Sequence, residues 1–333
     1  MDVALDKMYA FHTIQQADAT LFLHPNDHPY DSDLVEIDKK GVIIGFHSKP
    51  HPKNFLYRNL VNAALYILSP RLLLHIPQGI KSDFGKDIFP KVLTENLRLI
   101  GYVSSEYIKD MGTPERYKKV CNDVLTGKVA RLNKKYAQAA VFLDRDGVLV
   151  KEVDLLCKPE QLELLEGAAD AIRYINESGY LAVVVTNQPV IARNLCSIEE
   201  LEFIHKKMET LLGFEHSYLD AIYYCPHHPD KGFPEERKEY KIKCTCRKPN
   251  PGMLLQAAQD LNINLKKSYM IGDRDSDIIA GQNAGVSASI LIERNKPFAL
   301  LNALRNFINN YDYISYPFSN LICRWWIRSF IFL

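Results

Sequence analysis

The sequence has almost no charge imbalance: 41 Lys and Arg stand against 40 Asp and Glu, a formal net charge of +1 over 333 residues. That excludes a protein held on nucleic acid by a dominant basic field. The first thirty residues, MDVALDKMYAFHTIQQADATLFLHPNDHPY, have no basic start followed by an apolar run and a small-residue cleavage site, so no secretory leader is expected. Cysteine is sparse and odd in number: Cys121, Cys157, Cys196, Cys225, Cys244, Cys246 and Cys323. Such a set is no disulfide framework, and a reducing cytoplasm is the expected compartment. No short repeat recurs and no low-complexity tract occurs. What remains is ordinary in the useful sense. With 47% hydrophobic residues the chain can bury cores, which excludes disorder as a description of the whole, and its length suggests roughly two domains.

The two parts follow different rhythms. Residues 18–46 alternate short apolar runs with turn signals, which is strand–turn–strand grammar with a hairpin at Gly41. NAALYIL (62–68), RLIGYVS and EYIKDMG predict further strands, and SPRLLLHI a short helix capped by Ser69 with Pro70 at its first position. Residues 113–136 predict one helix capped by Thr113, with a Lys-rich end serving as linker. The expected boundaries are therefore 1–130 for a first domain, 131–137 for a linker and 138–295 for a second domain. A helical, hydrophobic extension over 296–333 completes the chain.

From residue 139 onward, buried strands alternate with helices. Strands are predicted at 139–147, 180–188, 221–226, 268–277 and 288–292, with helices at 166–178, 198–212, 251–263 and 277–285. This pattern specifies a Rossmann-like α/β fold, a parallel sheet covered on both faces. Ligands of such sheets sit at the carboxyl ends of the strands. The polar clusters DRDG, TNQ and GDRDSD all fall there.

Asp144 and Asp146 follow the apolar run Val141-Phe142-Leu143, with Gly147 letting the chain turn away. Two carboxylates spaced by two at a strand end can share a pocket, and Asp273 with Asp277 can join them from another strand. Oxygens of this kind suit Mg²⁺ bridging to a substrate phosphate. One carboxylate can attack phosphorus while its neighbour protonates the leaving oxygen. Thr186 and Asn187 can donate to phosphoryl oxygens, and Lys248 can neutralise developing charge. Alone, DRDG would read as a solvated turn; further strand-end clusters in order argue against that.

DRDGV, VVVTNQ, RKPNPGM and IGDRDSD resemble, in order and spacing, the four motifs of haloacid-dehalogenase-like (HAD-like) phosphohydrolases over roughly residues 138–295. The resemblance implies Asp144 as the nucleophile that becomes an aspartyl-phosphate, Asp146 as general acid and base, and Thr186 and Lys248 as the groups holding the transferring phosphoryl. It implies Mg²⁺ on Asp144, the backbone carbonyl of Asp146 and Asp273.

Cys225-Pro-His227-His228-Pro precedes Cys244-Thr-Cys246-Arg247-Lys248-Pro249. Thiolates and imidazole in a set of four suit a closed tetrahedral Zn²⁺ site, although the one-residue gaps are tighter than the common two-residue knuckle. His228 reads as a surface or outer histidine. CPHHP…CxCRKPxPGM resembles the zinc-containing subgroup, the D-glycero-D-manno-heptose 1,7-bisphosphate 7-phosphatases and histidinol-phosphate phosphatases. That resemblance implies Zn²⁺ on Cys225, His227, Cys244 and Cys246, with Asn187, Gln188, Arg247 and Arg274 facing a small phosphorylated sugar. The chain departs from the subgroup after DRDGV, where Leu149–Leu155 replaces an Asn and a Gly-Tyr pair, so contacts at 152–155 do not carry over.

HPNDHPYDSDLVEID, FHSKP, NLVNAALYIL and YIKDMGTPERY resemble the later half of sugar-1-phosphate nucleotidyltransferases of the heptose and mannose type. That implies sugar-phosphate contacts at Lys49 and Asn62 and a metal contact at Asp110. The Gly-rich phosphate loop of that family is absent, so no nucleotidyl transfer is expected from this chain alone. The expected activity is removal of the 7-phosphate of heptose bisphosphate, supplying nucleotide-activated heptose for lipopolysaccharide, S-layer or capsule glycans. Histidinol phosphate or another small phosphomonoester is the competing substrate. A non-catalytic fragment binding a sugar nucleotide or a transferase subunit is the competing class. The tail from Tyr313, YISYPFSNLICRWWIRSFIFL, is interrupted by Arg324 and Arg328. Its readings are a core-packed extension, an interfacial or partner-packing helix and, least favoured, a membrane anchor.

Overall fold

The computed structural model describes residues 1–230, 232 and 235–308; the hydrophobic tail from Tyr313 lies outside the described residues. Two five-stranded sheets account for the two sequence rhythms. The first contains β1 (Ala19–His24), β2 (Leu34–Ile37), β3 (Ile43–His47), β4 (Val61–Leu68) and β5 (Leu99–Val103), in the order β3-β2-β4-β1-β5. β2 and β3 form the expected antiparallel hairpin, and Gly41 at its turn has φ +78°, a backbone state that costs glycine nothing. β1 lies antiparallel to β4 and parallel to β5.

The second sheet contains β6 (Ala140–Leu143), β7 (Leu181–Asn187), β8 (Ala221–Cys225), β9 (Tyr269–Gly272) and β10 (Ala288–Leu291). Its order is β10-β9-β6-β7-β8 and every pairing is parallel. Strand alternation divides β6 between two cores. Val141 and Leu143 pack with Ile172, Ile204, Met208, Leu300 and Leu304, while Ala140 and Phe142 pack with Met253, Leu254, Ala257 and Ala280. Helices Ala168–Ser178, Ile198–Phe214 and Ala299–Phe307 therefore cover one face, and Gly252–Leu261 with Asp275–Ala284 the other. Burial on both faces is why these strands read as unbroken apolar runs. The chain passes from β6 to β7 on one side and later returns to β9 on the other, which opens a crevice above the carboxyl end of β6.

Two expectations fail. EYIKDMG forms no strand: Tyr107 is buried with its hydroxyl on Asp123, and Glu106 accepts from the backbone N–H groups of Ala4 and Lys134, so this segment pairs with side chains and distant loops. The helix expected over 113–136 stops at Leu125, because Gly127 is left-handed (φ +74°), and a separate turn spans Lys128–Arg131. Residues 131–137, the expected linker, pack closely: Lys134 is buried and Asn133 donates to Asp2. Helix Leu5–Gln15 carries no apolar stripe, and only Met8 on it is buried, so the sequence pattern leaves it invisible. Among the described residues no helix is long and apolar enough to cross a membrane.

The two units share a polar seam along helix Ile198–Phe214. The backbone N–H of Tyr57 donates to Thr210 Oγ1 at 3.1 Å, and Arg58 reaches the buried carboxylate of Glu209 at 2.7 Å and Glu202 at 3.3 Å. Lys206 pairs with Glu36 at 2.8 Å. Buried charges of this kind persist only when partnered.

Candidate active site and metal centres

Asp144 stands immediately beyond β6, its backbone N–H held by the Ile271 carbonyl of β9, so the strand pairing itself fixes where the carboxylate emerges. Its Oδ1 lies 3.0 Å from Lys248 Nζ, and the same ammonium lies 2.7 Å from Asp277 Oδ1. All three side chains are almost fully buried. Burial alone would lower the Lys248 pKa, but the two carboxylates outweigh it and hold the ammonium charged. Asp277 is pushed upward by burial and by the neighbouring Asp144 charge, against the pull of Lys248.

Asp144, Asp273 and Asp277 offer oxygens that lie within 4.8 Å of one another. Asp273 has a fully buried side chain whose Oδ2 meets Arg294, while Oδ1 accepts no hydrogen bond and has the Arg274 guanidinium 3.9 Å away. A buried carboxylate oxygen without a hydrogen bond, beside two further carboxylates, fits a hard cation. Gly147 makes this crowding possible: at φ +80° it turns the chain, and a Cβ there would stand 2.6 Å from Asp273 Oδ2. Gly147→Ala is expected to lose about 1–3 kcal/mol of stability, read as a lower urea midpoint; an unchanged midpoint would refute this account of the turn.

Thr186 and Asn187 end β7. Asn187 spends its amide on the backbone of Lys248, donating to the carbonyl and accepting from the N–H, both at 3.0 Å. Gln188 donates to Thr186 Oγ1 at 2.8 Å and Asp146 Oδ2 at 2.9 Å, and accepts from Arg145 Nη2 at 3.0 Å. Both amides thus brace the site while also lining the cavity where the sequence placed them against substrate. Arg274 pairs with Glu152 at 2.9 Å, and Arg247 donates to the His227 carbonyl at 3.1 Å. Asp144, Asp146, Thr186, Asn187, Gln188, Arg247, Lys248 and Arg274 all line one cavity of about 360 Å³. Arg145, Arg294 and the Glu152 pairing were not legible in the motifs: an arginine between two aspartates in a loop reads as exposed, yet Arg145 is fully buried.

The second metal group lies at the end of β8. The sulfurs of Cys225, Cys244 and Cys246 are 3.2–3.5 Å apart, and His227 Nδ1 lies 3.4 Å from Cys246 and 3.6 Å from Cys225. Tetrahedral zinc with Zn–S near 2.3 Å spaces its sulfurs by about 3.7 Å, close to these edges. The hydrogen bond between Cys225 and Cys246 holds the Cys246 thiol below its ordinary range and pushes the Cys225 thiol above it, so the proton is shared unequally between the two sulfurs. His228 is buried beside the 360 Å³ cavity and contributes no ligand to this group.

In the first unit Lys49, Asn62 and Asp110 line a separate cavity of about 590 Å³ at the seam. Lys49 pairs with Asp31 at 3.1 Å and Asp110 with Arg116. This larger space mixes both signs of charge and has no carboxylate group matching those above.

Residues 245–297 match the HAD-hydrolase-like family model, and residues 1–127 match the nucleotidyl transferase model. The D-glycero-beta-D-manno-heptose-1,7-bisphosphate 7-phosphatase of Haemophilus ducreyi is 40% identical over 158 residues, covering 47% of this chain and 84% of that protein. The Escherichia coli K12 protein of the same name is 39% identical over 158 residues, covering 47% and 81%. A solved D,D-heptose 1,7-bisphosphate phosphatase from B. bronchiseptica, complexed with magnesium and phosphate, is 32% identical and covers 50% of this chain and 87% of that one, with a TM-score of 0.42. Through its second sheet and the motifs at that sheet's carboxyl edge, the chain belongs to the HAD-like D-glycero-beta-D-manno-heptose-1,7-bisphosphate 7-phosphatase family, joined in one polypeptide to an N-terminal nucleotidyl transferase unit.

Proposed function

We propose that this chain is a phosphomonoesterase that removes the 7-phosphate of D-glycero-D-manno-heptose 1,7-bisphosphate through an aspartyl-phosphate at Asp144. The observation that carries the chemistry is the convergence of Asp144 and Lys248 at 3.0 Å under a polar cavity of about 360 Å³, beside the buried Asp273 carboxylate, one oxygen of which accepts no hydrogen bond.

Asp144 attacks phosphorus while the bond to the sugar oxygen breaks. Asp146, two residues on, delivers the proton that the departing alkoxide needs and later takes one from the water that cleaves the acyl phosphate. Lys248 and the Thr186 hydroxyl address the phosphoryl oxygens, and Arg247 and Arg274 face the rest of the substrate. Mg²⁺ would be held by Asp144, the Asp146 carbonyl and Asp273, supplying charge neutralisation for the phosphoryl oxygens. Zn²⁺ would be held by Cys225, His227, Cys244 and Cys246, fixing the loop that presents Arg247 and Lys248. On this reading the catalyst begins near residue 138 and takes in helix Ala299–Phe307, whose Leu300, Leu301 and Leu304 lie in its core. Residues 1–127 then form a transferase-type unit, and association with a transferase subunit would run through it.

The choice of substrate draws on the names of the relatives and on the fused transferase unit. Steady-state kinetics on heptose bisphosphate and histidinol phosphate tests it. The expected kcat/KM ratio favours heptose bisphosphate by more than about tenfold; a tenfold preference for histidinol phosphate overturns the choice.

A further inference from the structure

Among the described residues Arg145 is the largest fully buried side chain, and it is charged. Its Nε donates to Asp146 Oδ1 at 3.0 Å and its Nη2 to Asp146 Oδ2 at 2.9 Å, a two-pronged grip that matches a carboxylate in plane. Nη2 also reaches Gln188 Oε1, and Gln188 returns a bond to Asp146 Oδ2. Nη1 lies 3.4 Å from Nε2 of His205, a residue fully buried on helix Ile198–Phe214. Burial, with the Arg145 and Arg58 charges adding to it, keeps His205 neutral, so Nε2 is available as an acceptor. Four of the five guanidinium N–H groups are thus committed to Asp146, Gln188 and His205.

The donors aimed at Asp146 address both of its oxygens as acceptors. That arrangement serves the half-reaction in which this carboxylate receives a proton. We propose that Arg145, seated by His205 and Gln188, is a positioning residue that orients Asp146 for the hydrolysis of the aspartyl-phosphate. In that step water attacks phosphorus, the bond to the Asp144 oxygen breaks, and the water proton passes to Asp146. This inference rests on the phosphatase reading given above.

An aryl phosphate isolates the step, because p-nitrophenolate leaves without a proton and phosphorylation then needs no acid. In Arg145→Met, kcat on p-nitrophenyl phosphate is expected to fall by about a hundredfold, with kcat/KM within about fivefold of the parent. A burst of nitrophenolate equal to the enzyme concentration should appear, and Arg145→Lys should recover part of kcat. Loss of kcat and kcat/KM in proportion, with no burst, overturns the inference, since a merely structural role predicts that. If Arg145→Met does not fold, His205→Leu, which removes only the seat of the guanidinium, is judged by the same split. Asp144→Asn run alongside separates the two levels. Turnover surviving there refutes the phosphatase mechanism itself, whereas an inactive Asp144→Asn with a proportional loss in Arg145→Met refutes only the role of Arg145.

Discussion

Asp144→Asn is expected to fold normally and to lose more than about 10³-fold in phosphate release. The change preserves volume and hydrogen-bonding shape at a site where the carboxylate already accepts from the Arg145 backbone N–H at 2.7 Å and meets Lys248 at 3.0 Å. Folding should not suffer, because the removed charge is one of two carboxylates pressed on a single ammonium, and Asp277 keeps Lys248 paired. With the Asp144 charge gone, the upward pressure on Asp277 falls as well. An amide oxygen is far too weak a nucleophile for phosphorus, so the covalent route closes. Thermal unfolding near the parent value together with the loss of phosphate release is the expected pair of measurements. Near-normal release would sink the mechanism.

Disrupting the thiolate cluster should also be damaging, and for a different reason. Cys246→Ser is expected to lower the melting temperature by about 5 °C or more, corresponding to roughly 2 kcal/mol for a unit of this size. It should also cut turnover by more than about tenfold. Among the described residues of the loop between β8 and helix Gly252–Leu261, Tyr240 touches the His227 ring, and Asn250 donates to the Cys244 carbonyl. The four ligands add to these anchors, and Lys248 must enter a fully buried position from this same loop. Metal analysis should find one zinc per chain in the parent. A chain with no bound zinc and a Cys246→Ser variant of unchanged melting temperature would dispose of the zinc assignment.

The parallel sheet was legible because a strand buried on both faces leaves an uninterrupted apolar run, and Ala140–Leu143 and Leu181–Val185 are such runs. The reactive positions were legible because strand ends in this topology concentrate polar residues where ligands bind. The first unit resisted for equally physical reasons. Glu106 and Tyr107 sit in what reads as an apolar alternation, but their partners are Ala4, Lys134 and Asp123, remote in sequence. Gly127 breaks a helix whose charged residues favour continuation on either side. The supports of the site were hidden for the same cause. Asn187 and Gln188 carry the donors expected of phosphate ligands, and only the fold shows that they also bind backbone and carboxylate groups of the site itself.

The seam at Arg58 has a consequence for genetics. Glu209 is buried in the second unit, and the guanidinium that balances it belongs to the first. Among alleles selected for loss of phosphate release, substitutions within the first unit should therefore gather at Arg58 and its neighbour Tyr57, while Lys49, Asn62 and Asp110 are spared. Inheritance of the catalyst is tied to a stretch of chain that performs none of its chemistry.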